Sequence, residues 1–285
     1  MNIDSESQKI DDKPVLVIGG SGKTGRRVAE RLAARGHSVR IGSRSRVPSF
    51  DWGRGASWDA ILEGVEAVYV AYAPDLAIPG ATDAIDAFAR RAKSKGVERL
   101  VLLSGRGEAE AQASERVVQQ SGLEWTIIRA SWFNQNFSEG SFLPMVQAGR
   151  IALPAGDALE PFVDADDIAE IAAQALIDRR HAGQLYEVTG PHLMTFAEAA
   201  DLISSATGRK IEYVNVPHNN FIAEVEASNA PRDVVWILDY LFTTVLDGRN
   251  AAICDGVPRA LGRPAKSFAD YARETAATGV WRAAT

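Results

Sequence analysis

Short apolar runs alternate along the chain with longer segments whose apolar residues recur every three or four positions. The runs at residues 15–19, 38–41, 67–71, 100–103 and 125–129 read as buried strands. Residues 23–35 carry Val28, Leu32 and Ala33 at helical spacing and stop at Gly36. Residues 83–95 repeat this with Ile85, Phe88, Ala89 and Ala92 ahead of Gly96, and residues 110–120 do so ahead of Gly122. A further short strand is expected around Asp51 and Trp52. Strands alternating with helices of about 10–15 residues predict right-handed βαβ units, hence an α/β fold with a doubly wound parallel sheet.

The rhythm changes after Ala130. Aromatic and amide residues crowd into Trp132-Phe133-Asn134-Gln135-Asn136-Phe137. Residues 162–163 look like another strand. Asp164 then has the character of an N-cap for a helix to Leu176, with Asp166, Asp167 and Glu170 in its first turns. That placement accounts for the acidic run without a metal. Residues 185–189 predict one more strand, and helices follow from Thr195. The broad apolar stretch 234–246 is expected to pack as core. The expected division is a nucleotide-binding part at 14–130 and 156–190, interleaved with a smaller, mainly helical substrate lobe at 131–155 and 191–285. Residues 1–13 read as a disordered polar tail.

The strongest chemical signal is Gly19-Gly20-Ser21-Gly22-Lys23-Thr24-Gly25, between the first strand and the first helix. Gly20, Gly22 and Gly25 satisfy G-x-G-x-x-G. Glycines at this spacing permit a tight turn, let backbone approach a pyrophosphate and bring the helix onto the sheet. The unpaired N–H groups of the helix start then face the phosphates. A P-loop reading fails because Val17, inside the strand, stands where its first glycine is needed. An NAD site usually places an acid about 20 residues further on, yet no acid lies between Arg31 and Phe50. Ser43, Arg44 and Arg46 stand there instead and suit a 2′-phosphate, so NADP(H) is the expected cofactor. Arg31 and Arg35 are expected on a solvated face.

Composition narrows the classes. The 285 residues carry 31 Lys and Arg against 37 Asp and Glu, a net charge of −6. Scattered acidity argues against nucleic acid as a partner. One cysteine, Cys254, forms no internal disulfide, and four dispersed histidines give no zinc spacing. No apolar run approaches the ~18 residues of a membrane span. A cytoplasmic monomer or homodimer is the expectation. Between residues 23 and 46, eight basic residues face one acid, Glu30, which marks a basic corner for a phosphorylated dinucleotide.

The segments GGSGKTGRRV, SRSR, Leu103-Ser104-Gly105, Gly122 to Arg129 leading into the Trp132–Phe137 cluster, Phe162 to Ala169 and Tyr186 to Pro191 together resemble the NmrA-like atypical short-chain dehydrogenases. The resemblance runs from about residue 14 to past 210. Within the family it is similar to the branch of bacterial festuclavine dehydrogenase relatives and to triphenylmethane and quinone reductases. It implies a Rossmann domain, a helical C-terminal lobe and a dinucleotide across the cleft between them. It also implies that Ala71, Tyr72, Ala73, Pro74, Ser104, Trp132 and Phe133 line the nicotinamide end. From their own placement, Asp51 and Trp52 are expected near the adenine, Trp132, Asn134 and Asn136 near the substrate, and His218, in a polar gap before the long helical region, is a candidate proton donor to it.

The usual Tyr-x-x-x-Lys dyad of short-chain dehydrogenases is missing: no tyrosine of this chain is followed four residues later by lysine. Where the resemblance would place the dyad, this chain has Gly107 and Ala111. Alcohol oxidation by a tyrosine base is thereby disfavoured. Acceptors that take hydride readily are favoured: quinones, enones, iminium ions or dye-like cations, flat and aromatic or conjugated. Ser104, Tyr72 and Asn134 are the catalytic candidates. An NADP(H)-binding redox sensor of NmrA type, without turnover, is the alternative.

Overall fold

The computed structural model describes residues 13–283. The expected tail therefore lies, but for Lys13, outside the described residues. Six parallel strands form the main sheet: β1 (Val15–Ile18), β2 (Val39–Gly42), β3 (Ala67–Val70), β4 (Arg99–Gly105), β5 (Glu124–Ala130) and, after a sixth strand β6 (Arg150–Leu153) that lies outside it, β7 (Gln184–Val188). Their order is β2-β1-β3-β4-β5-β7. The chain reverses its direction of travel across the sheet between β1 and β3, the place where open α/β sheets hold ligands.

Period-2 alternation gives each face its own core. Leu16, Ile18, Val68, Val70, Leu100 and Leu102 point to one face. There they meet α2 (Trp58–Leu62), α3 (Ala81–Ser94) and α4 (Ala109–Gln120) through Ile61, Phe88 and Val118. Val15, Val17, Ala67, Tyr69 and Val101 point to the other. That face is covered by α1 (Lys23–Ala34) and α7 (Ala165–Ile177), which bring Val28, Leu32, Ile168 and Ala172.

A third, aromatic core lies beyond the sheet. It joins α5 (Asn136–Glu139), α6 (Leu143–Ala148), α8 (Phe196–Thr207), α9 (His218–Ala227) and α12 (Phe268–Thr278) around Phe137, Phe162, Phe196 and Phe268. Strand β8 (Glu212–Asn215) pairs with β6 in a separate two-stranded parallel sheet. That pair was not foreseen, since four-residue strands carry little pattern. Helix α10 (Arg232–Tyr240) runs into one turn of π-helix at Leu241–Val245, and α11 (Gly256–Leu261) packs beside β7.

Three expectations are corrected. Asp51 and Trp52 form no strand; residues 43–54 are irregular, so Tyr72 follows the third strand. Phe162–Val163 is not a strand either. Only the Phe133–Val163 bridge forms, with the Val163 N–H donating to the Trp132 oxygen at 2.8 Å. The 234–246 stretch is only partly core: Ile237, Phe242 and Val245 are buried while Trp236 is exposed.

Trp281 closes the aromatic core from the chain's far end. It is 1% exposed, its indole N–H donates to the Phe137 oxygen at 2.8 Å, and its ring meets Tyr271 edge-on. W281A leaves a large cavity and an unpaired carbonyl. It is expected to cost about 3–5 kcal/mol in urea unfolding, against under 1 kcal/mol for a surface change such as Glu226→Ala.

Candidate active site

The glycine loop is shaped by close approaches that exclude side chains. Gly19 has φ +75°, and a Cβ on it would stand 3.0 Å from the Ala71 oxygen. A Cβ on Gly25 would overlap the Gly19 oxygen, and one on Gly20 would come within 2.8 Å of Ile41. Helix α1 therefore begins tight against the ends of β1 and β3. Its N-cap Gly22 carries no side-chain cap and its first turn holds no acid. The N–H groups of that turn are left to an anionic ligand. Tyr69, fully buried in β3, fixes the turn by donating to Thr24 Oγ1 at 2.9 Å. Sequence reasoning missed this role, although a tyrosine within an apolar strand was the available signal.

A cavity of about 530 Å³ opens from this turn along the C-terminal ends of β3, β4 and β5. Gly19, Ser21, Gly22, Lys23 and Thr24 line one end. Ala71, Tyr72, Ala73, Pro74, Ser104, Trp132, Phe133 and Asn136 line the middle and far wall. Phe142, Val234, Leu238 and Leu241 complete it from α6, α10 and the flanking residues. The residues thus fit a dinucleotide: an uncapped helix start at one end and an apolar cleft at the other.

Lys23 bridges the two parts of the wall. Its Nζ donates to Asn136 Oδ1 at 2.9 Å, and burial lowers its pKa. Trp132 lies 5.3 Å from Phe242 and 5.5 Å from Phe196 between ring centroids, so one aromatic residue serves both cavity and core.

The basic corner is largely neutralised, contrary to expectation. Arg26 and Arg27 pair with Glu139 at 2.7 and 2.6 Å. Arg31 pairs with Asp166 at 2.7 Å and Arg35 with Glu170 at 2.5 Å, so these two are not a merely solvated face. They form an ion-pair ladder between α1 and α7. Asp164 caps α7 by accepting from the Asp166 N–H at 2.8 Å, as foreseen. Asp167 meets Arg263 at 2.7 Å. Arg40 donates to the Ile61 and Glu63 oxygens, both at 2.7 Å. Arg44 and Arg46 remain exposed after β2, with no ion partner among the described residues.

Several expected residues stand away from the cavity. Asn134 is fully buried and donates to Asp164 at 3.4 Å, because the turn after β5 directs it under α7. His218 begins α9, with Nε2 2.7 Å from Asp239 Oδ1, and does not reach the lining. Ser43, Arg44, Arg46, Asp51 and Trp52 also lie outside the lining. Asp51 accepts from the Gly53 N–H at 2.9 Å, and Trp52 packs against Tyr72 at 4.7 Å. Gly20 and Gly25 shape the turn from behind.

Ser104 lines the cavity, but its hydroxyl donates to Glu115 Oε1 at 2.6 Å. Glu115 is held in turn by Arg129 at 2.5 Å, and Arg129 by Glu187 at 2.5 Å. With its proton so directed, Ser104 presents lone pairs to the cavity. So directed, it suits accepting from an amide rather than donating to a substrate oxygen.

The NAD(P)H-binding family profile matches residues 19–179, more than half of the chain. The chain belongs to this NAD(P)H-binding family. It is 32% identical over 281 residues to an uncharacterized oxidoreductase, YesF, of Bacillus subtilis strain 168, covering 94% of this chain and 98% of the relative. It is 28% identical over 285 residues to festuclavine dehydrogenase of Aspergillus fumigatus, covering 91% and 97%. The fold is similar to that of Citrobacter sp. triphenylmethane reductase complexed with NADP(H). The TM-score is 0.72 and the identity 17%, over 92% of this chain and 99% of that one. The family member described here is an NAD(P)H-dependent oxidoreductase. No helix among the described residues is long and apolar enough to cross a membrane.

Glu160 lies behind the Ser131–Trp132 part of the wall, fully buried. Its Oε1 accepts from the Trp132 N–H at 3.3 Å, and its Oε2 has no hydrogen-bond partner among the described residues. Burial pushes its pKa up to about 7. The folded value lies above the unfolded one, so the protonated form is favoured by folding. The resulting stability is fully present below the ordinary glutamate value and is lost as pH rises through about 7. Between these limits the wild type is expected to lose about 2–3 kcal/mol more than E160Q in urea unfolding followed across pH.

Proposed function

We propose that this protein is an NADPH-dependent reductase that passes hydride to a flat, conjugated acceptor: a quinone, an enone, an iminium ion or a dye-like cation. The single observation that carries the reading is the cavity itself. It joins the uncapped start of α1 to a cleft walled by Tyr72, Trp132, Phe133 and Phe142. Such a wall grips an aromatic face and excludes water. Relatives named for festuclavine and triphenylmethane support the acceptor class. In this reading residues 14–130 and 156–190 carry the nucleotide, and residues 131–155 and 191–285 supply the substrate lobe.

When bound, the dihydronicotinamide supplies the hydride. The protein's own residues do the rest. Gly19, Ser21, Gly22 and Thr24 would hold the pyrophosphate through backbone N–H groups and a hydroxyl. Lys23, fixed on Asn136, would place a positive charge beside them. Arg44 and Arg46, free of ion partners among the described residues, would take the 2′-phosphate. Ser104 would accept from the carboxamide. Tyr72 and Trp132 would hold the acceptor's plane against the nicotinamide, so that orientation supplies much of the rate enhancement.

Purified protein mixed with NADPH and a panel of quinones, enones, iminium salts and triarylmethyl dyes should oxidise NADPH well above the protein-free rate with at least one class. Tight cofactor binding without any turnover would instead mark a dinucleotide sensor. The cofactor preference has a separate check. R44A should weaken NADPH about tenfold, the size of one charged hydrogen bond, while changing NADH less than twofold in fluorescence titration.

A further inference from the structure

The mechanism above leaves one buried group of the cavity wall without a task. Glu108 stands between β4 and α4, is 6% exposed and lines the cavity. Its Oε2 has no hydrogen-bond partner among the described residues. Gly105 leaves room for it: a Cβ there would overlap the Glu108 carboxyl. Asp75, from the segment after β3, also lines the cavity and sets its carboxyl beside that of Glu108. Asp75 accepts from the Ala77 N–H at 2.8 Å.

Among the described residues no cation neutralises the pair. Arg106 donates to the Asn250 oxygen at 2.7 Å and leans toward Glu187 at 3.8 Å. Arg129 is taken by Glu115 and Glu187, and Arg249 by Asp247. The other groups facing Glu108 are Glu110 and Glu115 of α4 and Tyr240 of α10, whose hydroxyl donates to Glu110. Two ionised carboxylates side by side, Glu108 buried and Asp75 half-buried, repel each other, and neither can donate to the other. One shared proton removes a charge and gives the orphaned oxygen a role. Burial first, and then Asp75, hold the Glu108 pKa well above the usual carboxylate range. The site is next to Gly107, where the family's tyrosine would stand.

The geometry points to Glu108, sharing a proton with Asp75, as the proton donor of this site, acting on the oxygen of a conjugated carbonyl acceptor. This rests on the reductase reading above. Hydride arriving at the acceptor's electrophilic carbon brings two electrons, and the conjugated pair moves onto the carbonyl oxygen. The Glu108 O–H bond breaks and an O–H bond to that oxygen forms. The electron pair of the broken bond stays on the carboxylate, and solvent returns the proton. A cationic acceptor is neutralised by hydride alone and needs no such step.

Wild type, E108Q and D75N are compared with NADPH on two acceptors: cyclohexenone, which requires a proton, and malachite green, a triarylmethyl cation that does not. In E108Q the ratio of enone to dye turnover should fall about 100-fold, the size of a general acid's contribution. Enone turnover by the wild type should fall at high pH. In D75N that fall should move to lower pH, since the neighbouring negative charge is gone. Infrared difference spectra at neutral pH should show a protonated-carboxyl C=O band that E108Q lacks. An unchanged ratio, turnover of the dye alone, or no such band overturns the donor assignment while leaving the reductase reading intact. Wild-type turnover of neither acceptor overturns both.

Discussion

The site depends on one close approach: Gly25 of α1 against the carbonyl of Gly19. Any side chain at Gly25 would push the helix away from the sheet. Held there, α1 points its uncapped first turn along the ends of β3 and β4. The rest of the molecule extends that placement. Arg31 and Arg35 tie α1 to Asp166 and Glu170 of α7. Asp164 at the start of α7 accepts from Gln135 Nε2 at 3.0 Å, and Gln135 Oε1 accepts from the Ala165 N–H at 2.8 Å. The segment that carries Trp132 and Phe133 is thus fixed to the helix layer that fixes the phosphate turn. The two ends of the cavity are set relative to one another by hydrogen bonds and ion pairs, not by the sheet alone.

Electrostatics divide the molecule in a way that total charge conceals. Most of the arginines of α1 are engaged by acids on α5 and α7 and serve packing. Lys23, Arg44 and Arg46 are left near the turn as charges available to a ligand. On the opposite side of the cavity, the buried carboxyls of Glu108, Glu115 and Glu160 and the half-buried one of Asp75 surround an apolar cleft. Arg129 pairs with Glu115 at 2.5 Å, whereas the Glu160 and Glu108 carboxyls lack a comparable partner among the described residues. Burial of carboxyls without cations favours their neutral forms.

The sheet, its helices and the phosphate turn were legible in the sequence because each has a local pattern: apolar runs, helical spacing and three glycines at fixed intervals. The Asp164 cap was legible for the same reason. The partners of Arg31 and Arg35 were not, since they lie about 135 residues away. Nor was the fate of Asn134. An amide in an aromatic cluster reads the same whether it faces a cleft or caps a helix, and only the turn after β5 decides. Ser104 was expected at the cavity and lines it, but the direction of its proton depends on Glu115, eleven residues on and nearly two turns into α4. Glu108 gave no motif at all. Its meaning arises from the absence of a Cβ at Gly105 and the nearness of Asp75, both products of the fold.

The central claim is that the cleft brings a dihydronicotinamide and a conjugated acceptor face to face. The most direct measurement follows the hydrogen itself. NADPH carrying deuterium at the hydride-donating carbon is incubated with protein and an acceptor that is turned over, and the product is analysed by mass spectrometry. Transfer of one deuterium to the acceptor's electrophilic carbon, from one face of the nicotinamide only, is the expected result. Product without label, or with label lost to solvent, would contradict direct transfer within this cleft.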